Sequence, residues 1–262
     1  MNDPMSRRRF VSTAANAAFG ISIVPRHVLG GAGYRAPSDT VNVAIVGAGG
    51  MGMANAQNVV DAGHNIVALA DVDFPFVDRS LQGRLRNGNG SPSERALALQ
   101  RAYTSAARYD DFRRMLDRQS DIDAVLVATP DHTHAVVTQR AMEGGKHVYV
   151  QKPLTWSVRE ARVLAETATR TGVVTQMGNQ GHSGDEGRRL VELVRSGLLG
   201  EIREVQAWTD RPAGWWPQGV GMPEPEPQPE GVAWDLWLGP AEARPYMPNI
   251  HPFAWRGYVD FG

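Results

Sequence analysis

A six-residue turn, Gly47-Ala48-Gly49-Gly50-Met51-Gly52, constrains this chain more than any other feature. It follows Val41-Asn42-Val43-Ala44-Ile45-Val46, a near-continuous apolar run suited to a parallel strand buried on both faces. It precedes Met53–Ala62, which is compatible with a helix. In that order of strand, turn and helix, G-x-G-x-x-G has a mechanical meaning. Gly47 permits the tight turn, Gly49 lets a pyrophosphate approach the backbone, and Gly52 lets the helix pack close to the strand. The helix N-terminus then offers free N–H groups and the positive end of its dipole to the phosphates.

A second feature narrows the ligand. Asn65–Ala70 reads as the next buried strand and ends at Asp71. An acidic residue about 20 positions beyond the glycines is placed to bond the ribose hydroxyls of a dinucleotide. A carboxylate there repels a 2′-phosphate, so NAD is expected over NADP. Asp73 is the fallback for the same role, and Arg79 is close enough in sequence to keep NADP in view.

The rest of the first half alternates helix and strand, as a doubly wound parallel α/β sheet requires. Helices are expected over 94–106, 110–119, 133–142 and 157–171, with strands over 123–128, 147–150 and 173–177. Residues 84–93, with Asn-Gly-Asn-Gly inside, read as a surface loop. In such sheets ligands lie beyond the carboxyl ends of the strands. Two strand ends carry polar groups there. One is Thr129-Pro130-Asp131-His132-Thr133-His134, in which Asp131 or Thr133 could equally cap the next helix. Its two histidines lack an adjacent carboxylate–histidine pattern, so no metal is expected. The other is Gln151-Lys152-Pro153, where Lys152 could polarise a substrate hydroxyl or could be an ordinary solvated lysine.

The 262 residues have a formal net charge of -1, so no global field recruits nucleic acid or anionic membrane. Cysteine is absent, which excludes disulfides, thiolate metal sites and cysteine nucleophiles. At the N-terminus, Ser6-Arg7-Arg8-Arg9-Phe10-Val11 precedes Ser12–Val24, a small and apolar run without charge. Paired arginines ahead of a short apolar segment have the form of a twin-arginine export signal, read by a receptor that moves folded proteins. Residues 1–40 are therefore expected to be signal and linker. The destination would be the periplasm, and an uncleaved signal would leave the protein anchored to the membrane.

Taken together, the glycine turn, Asp71, Ala128-Thr129-Pro130-Asp131-His132-Thr133-His134 and Gln151-Lys152-Pro153 resemble the Gfo/Idh/MocA oxidoreductases. The resemblance spans about residues 41–262. It implies a Rossmann domain over 41–178 and the start of an α+β substrate domain, with an open sheet, over 179–262. It implies a nicotinamide cofactor held by Gly47, Gly49, Gly50, Met51, Gly52, Asp71, Thr129, Pro130, Asp131, His134, Gln151 and Lys152. It further implies a carbohydrate or polyol substrate, hydride transfer at a hydroxyl-bearing carbon, Lys152 at the reaction centre, and a homo-oligomer in the full-length protein. Gln151 stands where the family's motif has Glu. A glycosidase working by oxidation, elimination and reduction uses the same parts, as does a nucleotide-binding protein without catalysis.

The second half is less regular. Asn179–Gly184 is a polar turn whose His182 could reach a sugar hydroxyl or be a plain loop histidine. A helix over 187–196 and a strand over 202–208 follow. Beyond them prolines accumulate, and Pro223–Pro229 should be extended and solvated. Tryptophans 208, 215, 216, 234, 237 and 255 could line a sugar site or pack a domain interface. The family's downstream Asp/His motif has no match before Gly262, so the substrate domain is expected to be incomplete in this chain.

Overall fold

The computed structural model describes residues 36–86, 91–209 and 219–262. The run Arg7–Val24 read as an export signal, the Asn-Gly-Asn-Gly tip and Trp215 and Trp216 lie outside them. The chain divides into two units, residues 1–41 and 42–262. The described part of the first holds a short 3-10 turn, Pro37–Asp39.

The second unit opens with β1 (Asn42–Val46), α1 (Gly50–Asp61), β2 (Asn65–Ala70), α2 (Phe74–Arg86) and α3 (Glu94–Ser105). It continues with β3 (Ala107–Tyr109), α4 (Phe112–Arg118), β4 (Ala124–Val127), a 3-10 turn (Asp131–Thr133) and α5 (His134–Glu143). Then come β5 (His147–Gln151), α6 (Val158–Thr171), β6 (Thr175–Gly178), α7 (Asp185–Arg195), α8 (Trp234–Leu238) and a 3-10 turn (Ala254–Gly257). The six strands are parallel, in the order β3-β2-β1-β4-β5-β6. The chain winds outward from β1 to β3, then returns to lay β4 on the other side of β1. That reversal opens a crevice at the carboxyl ends of β1 and β4, the place where such sheets bind ligands.

The strands are short and apolar because both faces are covered. Ala44, Val46, Val125, Val127, Val148 and Val150 form one core with Ala135, Val137, Ala141, Met142 and Leu164. Each valine removed from water there contributes about 1.5–3 kcal/mol. Helix ends are fixed locally. Ser157 accepts from the Glu160 N–H, and Glu160 accepts from the Ser157 N–H at 2.9 Å, which starts α6. Gly172, at φ 69°, ends it in the left-handed region that a side chain disfavours.

One expectation fails here. Residues 202–208 form no strand, and Ile202, Val205 and Trp208 are exposed. The apolar face of α7 is equally uncovered, with no residue of the helix buried. The end of the chain, in contrast, is folded. Trp234, Trp237, Leu238, Met247, Ile250, Trp255, Tyr258 and Phe261 make a second core, with Trp234 and Trp237 stacked at 4.6 Å. Three tryptophans expected either at a sugar site or in packing are therefore packing residues. Pro223–Pro229 does run without regular structure, largely exposed.

This second core is fastened across the strand ends. The Ala233 N–H donates to the Val72 carbonyl at 2.8 Å, beyond β2. The His132 N–H donates to the Phe261 carbonyl at 3.3 Å, and His132 Nε2 meets the Trp237 carbonyl at 3.0 Å, beyond β4. Trp156, four residues beyond Lys152, donates its indole N–H to the Val259 carbonyl at 3.2 Å.

Candidate nucleotide and substrate site

The glycine turn is built by close approach. Gly47 has φ 81°, and a Cβ there would lie 2.6 Å from the Ala128 carbonyl oxygen. Its N–H donates to the Ala70 carbonyl at 2.9 Å, which ties the turn to the end of β2. A Cβ on Gly52 would fall 1.8 Å from the Gly47 oxygen, so helix and strand touch backbone to backbone. At Gly49 the neighbour is the Phe76 ring, 2.6 Å from an added Cβ, so glycine is needed there for Phe76 as well as for a phosphate. No side chain caps α1, and nothing lies within 4 Å of a Cβ on Gly50. The first amides of α1, with the exposed Met51 beside them, form an open anion cradle that fits a pyrophosphate.

Tyr103 holds this turn from below. Fully buried in α3, it donates its hydroxyl to the Ala48 carbonyl at 2.9 Å. Burial, and then the nearby Asp71 carboxylate, push its phenol far above the ordinary range. No motif pointed to it, because the contact joins residues 55 positions apart.

Asp71 lies at the end of β2. It accepts the Gly49 N–H at 3.2 Å and the Asp73 N–H at 2.9 Å. Burial pushes its carboxyl up, and these amides pull it part of the way back. The fallback, Asp73, is committed elsewhere. It is buried, accepts the Phe76 N–H at 2.8 Å to start α2, and meets His251 Nε2 at 2.9 Å. Of the two carboxylates, Asp71 is the one whose hydrogen-bond partners are backbone amides alone.

Beyond β4, the Thr129 hydroxyl oxygen is buried with no hydrogen-bond partner, an orphan that a ligand could satisfy. The Pro130 carbonyl is taken by the N–H and hydroxyl of Thr133. His134 requires a correction. Expected to touch cofactor, it is buried, with Nδ1 2.6 Å from the Pro153 carbonyl and Nε2 2.9 Å from the Thr129 carbonyl. Both ring nitrogens lie against backbone carbonyls, so His134 ties the two strand-end motifs together. His132 is likewise structural, and burial pulls its imidazole down.

Beyond β5, Gln151 is buried and pairs in register with Gly178. Lys152 is exposed, and its ammonium has no hydrogen bond or ion pair among the described residues. It acts on Asp131, whose carboxyl burial pushes up while His134, Lys152 and Arg256 pull it down. The charges of Lys152 and Arg256 are thus both felt by Asp131, which follows β4. Arg256 was not legible as a site residue, since it arrives on the folded C-terminal segment. His182 is not brought to this group. It is exposed and lines a cavity of about 770 Å3 with Asn179, Gln180, Arg188 and Glu192. That turn is joined to α1 by Gln180, whose amide lies 3.7 Å from the Met51 sulfur.

A doubly wound parallel sheet, an uncapped glycine turn and a carboxylate at the end of β2 define a dinucleotide-binding α/β protein. More particularly, the chain belongs to the Gfo/Idh/MocA oxidoreductase family, whose NAD-binding Rossmann fold matches residues 41–179. A Shewanella pealeana protein named glycosyl hydrolase family 109 is 30% identical over 218 residues, 78% of this chain and 45% of that protein. Its namesake from Shewanella putrefaciens is 29% identical over 199 residues, 74% of this chain and 40% of that one. This chain therefore spans less than half the length of these relatives. Among solved structures, myo-inositol 2-dehydrogenase from Lactobacillus plantarum superposes with TM-score 0.51 at 23% identity, over 62% of this chain and 43% of that one. Scyllo-inositol dehydrogenase from Lactobacillus casei gives 0.50 at 23%, over 62% and 44%. These likenesses establish the fold.

Proposed function

We propose that the protein oxidises and reduces a hydroxyl-bearing carbon of a sugar, polyol or glycoside, using a tightly held NAD. The observation that carries this reading is Lys152, an unpaired ammonium beside Asp131 at the same end of the sheet as the glycine turn. The amides that open α1 would hold the pyrophosphate, and Asp71 would accept from the ribose hydroxyls. Bound nicotinamide supplies the hydride acceptor and donor. Lys152 would donate a hydrogen bond to the substrate oxygen and favour its alkoxide form as the hydroxyl proton passes to water. The Thr129 and Pro153 carbonyls, joined through His134, fix the backbone on both sides of that ammonium.

Residues 179–262 are read as the start of the substrate domain and residues 1–40 as a twin-arginine signal, so that NAD is loaded in the cytoplasm and carried out. The intact protein assembles as a homo-oligomer in this reading. Cell fractionation tests the address: a cytoplasmic pool unaffected by replacing Arg7 and Arg8 with Lys would reject it.

The test of the chemistry is Lys152→Ala in the intact protein. Mass spectrometry of nucleotide released on denaturation should find NAD(H) in both forms, while turnover falls by about 10²–10⁴-fold. NADP(H) in place of NAD(H) would overturn the role given to Asp71, and undiminished turnover would remove Lys152 from the chemistry. The names of the Shewanella relatives favour a second reading, glycoside cleavage by transient oxidation, elimination and re-reduction. Release of an aglycone with no net change in NADH would select it.

A further inference from the structure

We infer that Arg256 is an anion-binding residue at the substrate end of the crevice, and that the sugar acted on carries a carboxylate. This deepens the proposed function and rests on it. Arg256 lies in the 3-10 turn Ala254–Gly257, on the segment that Trp156 and His132 fasten across the ends of β5 and β4. Its guanidinium carbon lies over two rings, 4.1 Å from the Trp255 centroid and 4.7 Å from that of Phe253. One edge donates to the Phe253 carbonyl at 3.1 Å, which fixes its rotation.

The opposite edge of the fork has no carboxylate within ion-pair distance among the described residues. The side chain is half-buried, and loss of water makes its charge less favourable, with Asp131 giving the only resolved compensation. A planar, immobilised and underpaired guanidinium presents two parallel donors, the arrangement that a carboxylate accepts bidentately. Local charge agrees. Lys152 and Arg256 both act on Asp131, so two cations stand against one acid whose ionisation burial already opposes. An anion entering beside Lys152 restores the balance, whereas a neutral sugar leaves the surplus uncompensated. The cofactor pyrophosphate is not needed to explain Arg256, because the opening turn of α1 provides for it.

The experiment is calorimetric titration of the NAD-loaded intact protein with two pairs of ligands, glucuronate against glucose and galacturonate against galactose. The acid of at least one pair should bind about tenfold or more tighter than its neutral partner, with the margin shrinking as salt rises. Arg256→Gln should bring that ratio close to one while released NAD(H) stays stoichiometric. Equal or tighter binding of both neutral sugars by the unaltered protein overturns the inference without any variant, as does Arg256→Gln keeping the acid preference. Loss of NAD(H) from Arg256→Gln also overturns it, because the residue would then serve the cofactor. A protein that carries no nicotinamide nucleotide refutes the proposed function itself, and the inference falls with it.

Discussion

Replacing Gly52 with Ala puts the site's backbone geometry to a direct test. The added Cβ would lie 1.8 Å from the Gly47 oxygen, 3.0 Å from the Gly47 carbonyl carbon and 3.4 Å from the Ala128 Cβ. Reaching even 3.0 Å from that oxygen demands a 1.2 Å separation of helix and turn, the difference between 3.0 and 1.8. Neither partner is free to move. Gly47 is bonded to Ala70 and pressed against the Ala128 carbonyl, and Met53 donates to the Gly49 carbonyl at 2.9 Å. Overpacking costs about 1–3 kcal/mol, and an obstacle made of backbone puts this case at the upper end. Alanine's better helix propensity returns about 1 kcal/mol, leaving a net loss of about 2 kcal/mol. For a unit of this size that is roughly 4–8 °C in Tm. Gly50→Ala is the control. Its Cβ meets nothing within 4 Å, and its φ of 36° costs about 1 kcal/mol of strain against a similar gain in propensity. Urea unfolding followed by tryptophan fluorescence should separate the two variants by about 2 kcal/mol. Gly52→Ala within about 0.5 kcal/mol of the parent, or Gly50→Ala equally damaging, would refute the argument from close approach.

Tyr103→Phe removes the donor to the Ala48 carbonyl and leaves that oxygen buried, so stability should fall by about 1–3 kcal/mol in denaturant titration, with weaker NAD retention. Unchanged retention would show that the turn holds its shape without Tyr103. For Asp71, burial raises the carboxyl above its ordinary 3.8. A raised folded value means that its contribution to stability is present in full below that ordinary value and is lost as pH rises through the folded value. A carboxyl-carbon NMR titration of the NAD-free protein should therefore find a midpoint above 3.8, and added NAD should lower it, because ribose hydroxyls donate to the ionised form. A midpoint indifferent to NAD would remove Asp71 from the ribose site.

The parts of this molecule that could be read from sequence are those whose causes are local. The glycine turn is one, since Gly47 and Gly52 are demanded by backbone atoms a few residues away or across one strand pair. Strands β1, β2, β4 and β5 are others, because burial on both faces leaves an apolar run. β3 was invisible: Ala107-Arg108-Tyr109 is a three-residue edge strand with no buried residue. Residues 202–208 show the converse, a strand-like composition with no neighbour to pair with among the described residues. Lys152 and Asp131 stood out through their motifs, but His134 was misjudged, because a motif does not tell which side of the backbone an imidazole faces. Asp73 misled for the same reason. Its partner His251 lies 178 residues away, a separation no local pattern reports.

The folded C-terminal segment was the least legible part of the chain, and it reaches the strand ends that carry the candidate site. Its aromatic residues follow neither helix nor strand spacing, and its prolines suggested solvated chain. Yet it is anchored beyond β2 by Val72 and Asp73, beyond β4 by His132 and beyond β5 by Trp156. Those are the ends of the strands that carry Asp71, Asp131 and Lys152. Attachment of the segment and access to the crevice therefore share one face of the sheet. On the proposed function, a dinucleotide exchanging at every turnover would have to pass beside this buried aromatic cluster and the Asp73–His251 pair. A cofactor reduced by one substrate and reoxidised by another, or cycled within a single glycoside cleavage, makes no such demand. The segment is thus compatible with the retained NAD of the proposed function, and it brings Arg256 to the side of the sheet where β4 and β5 end.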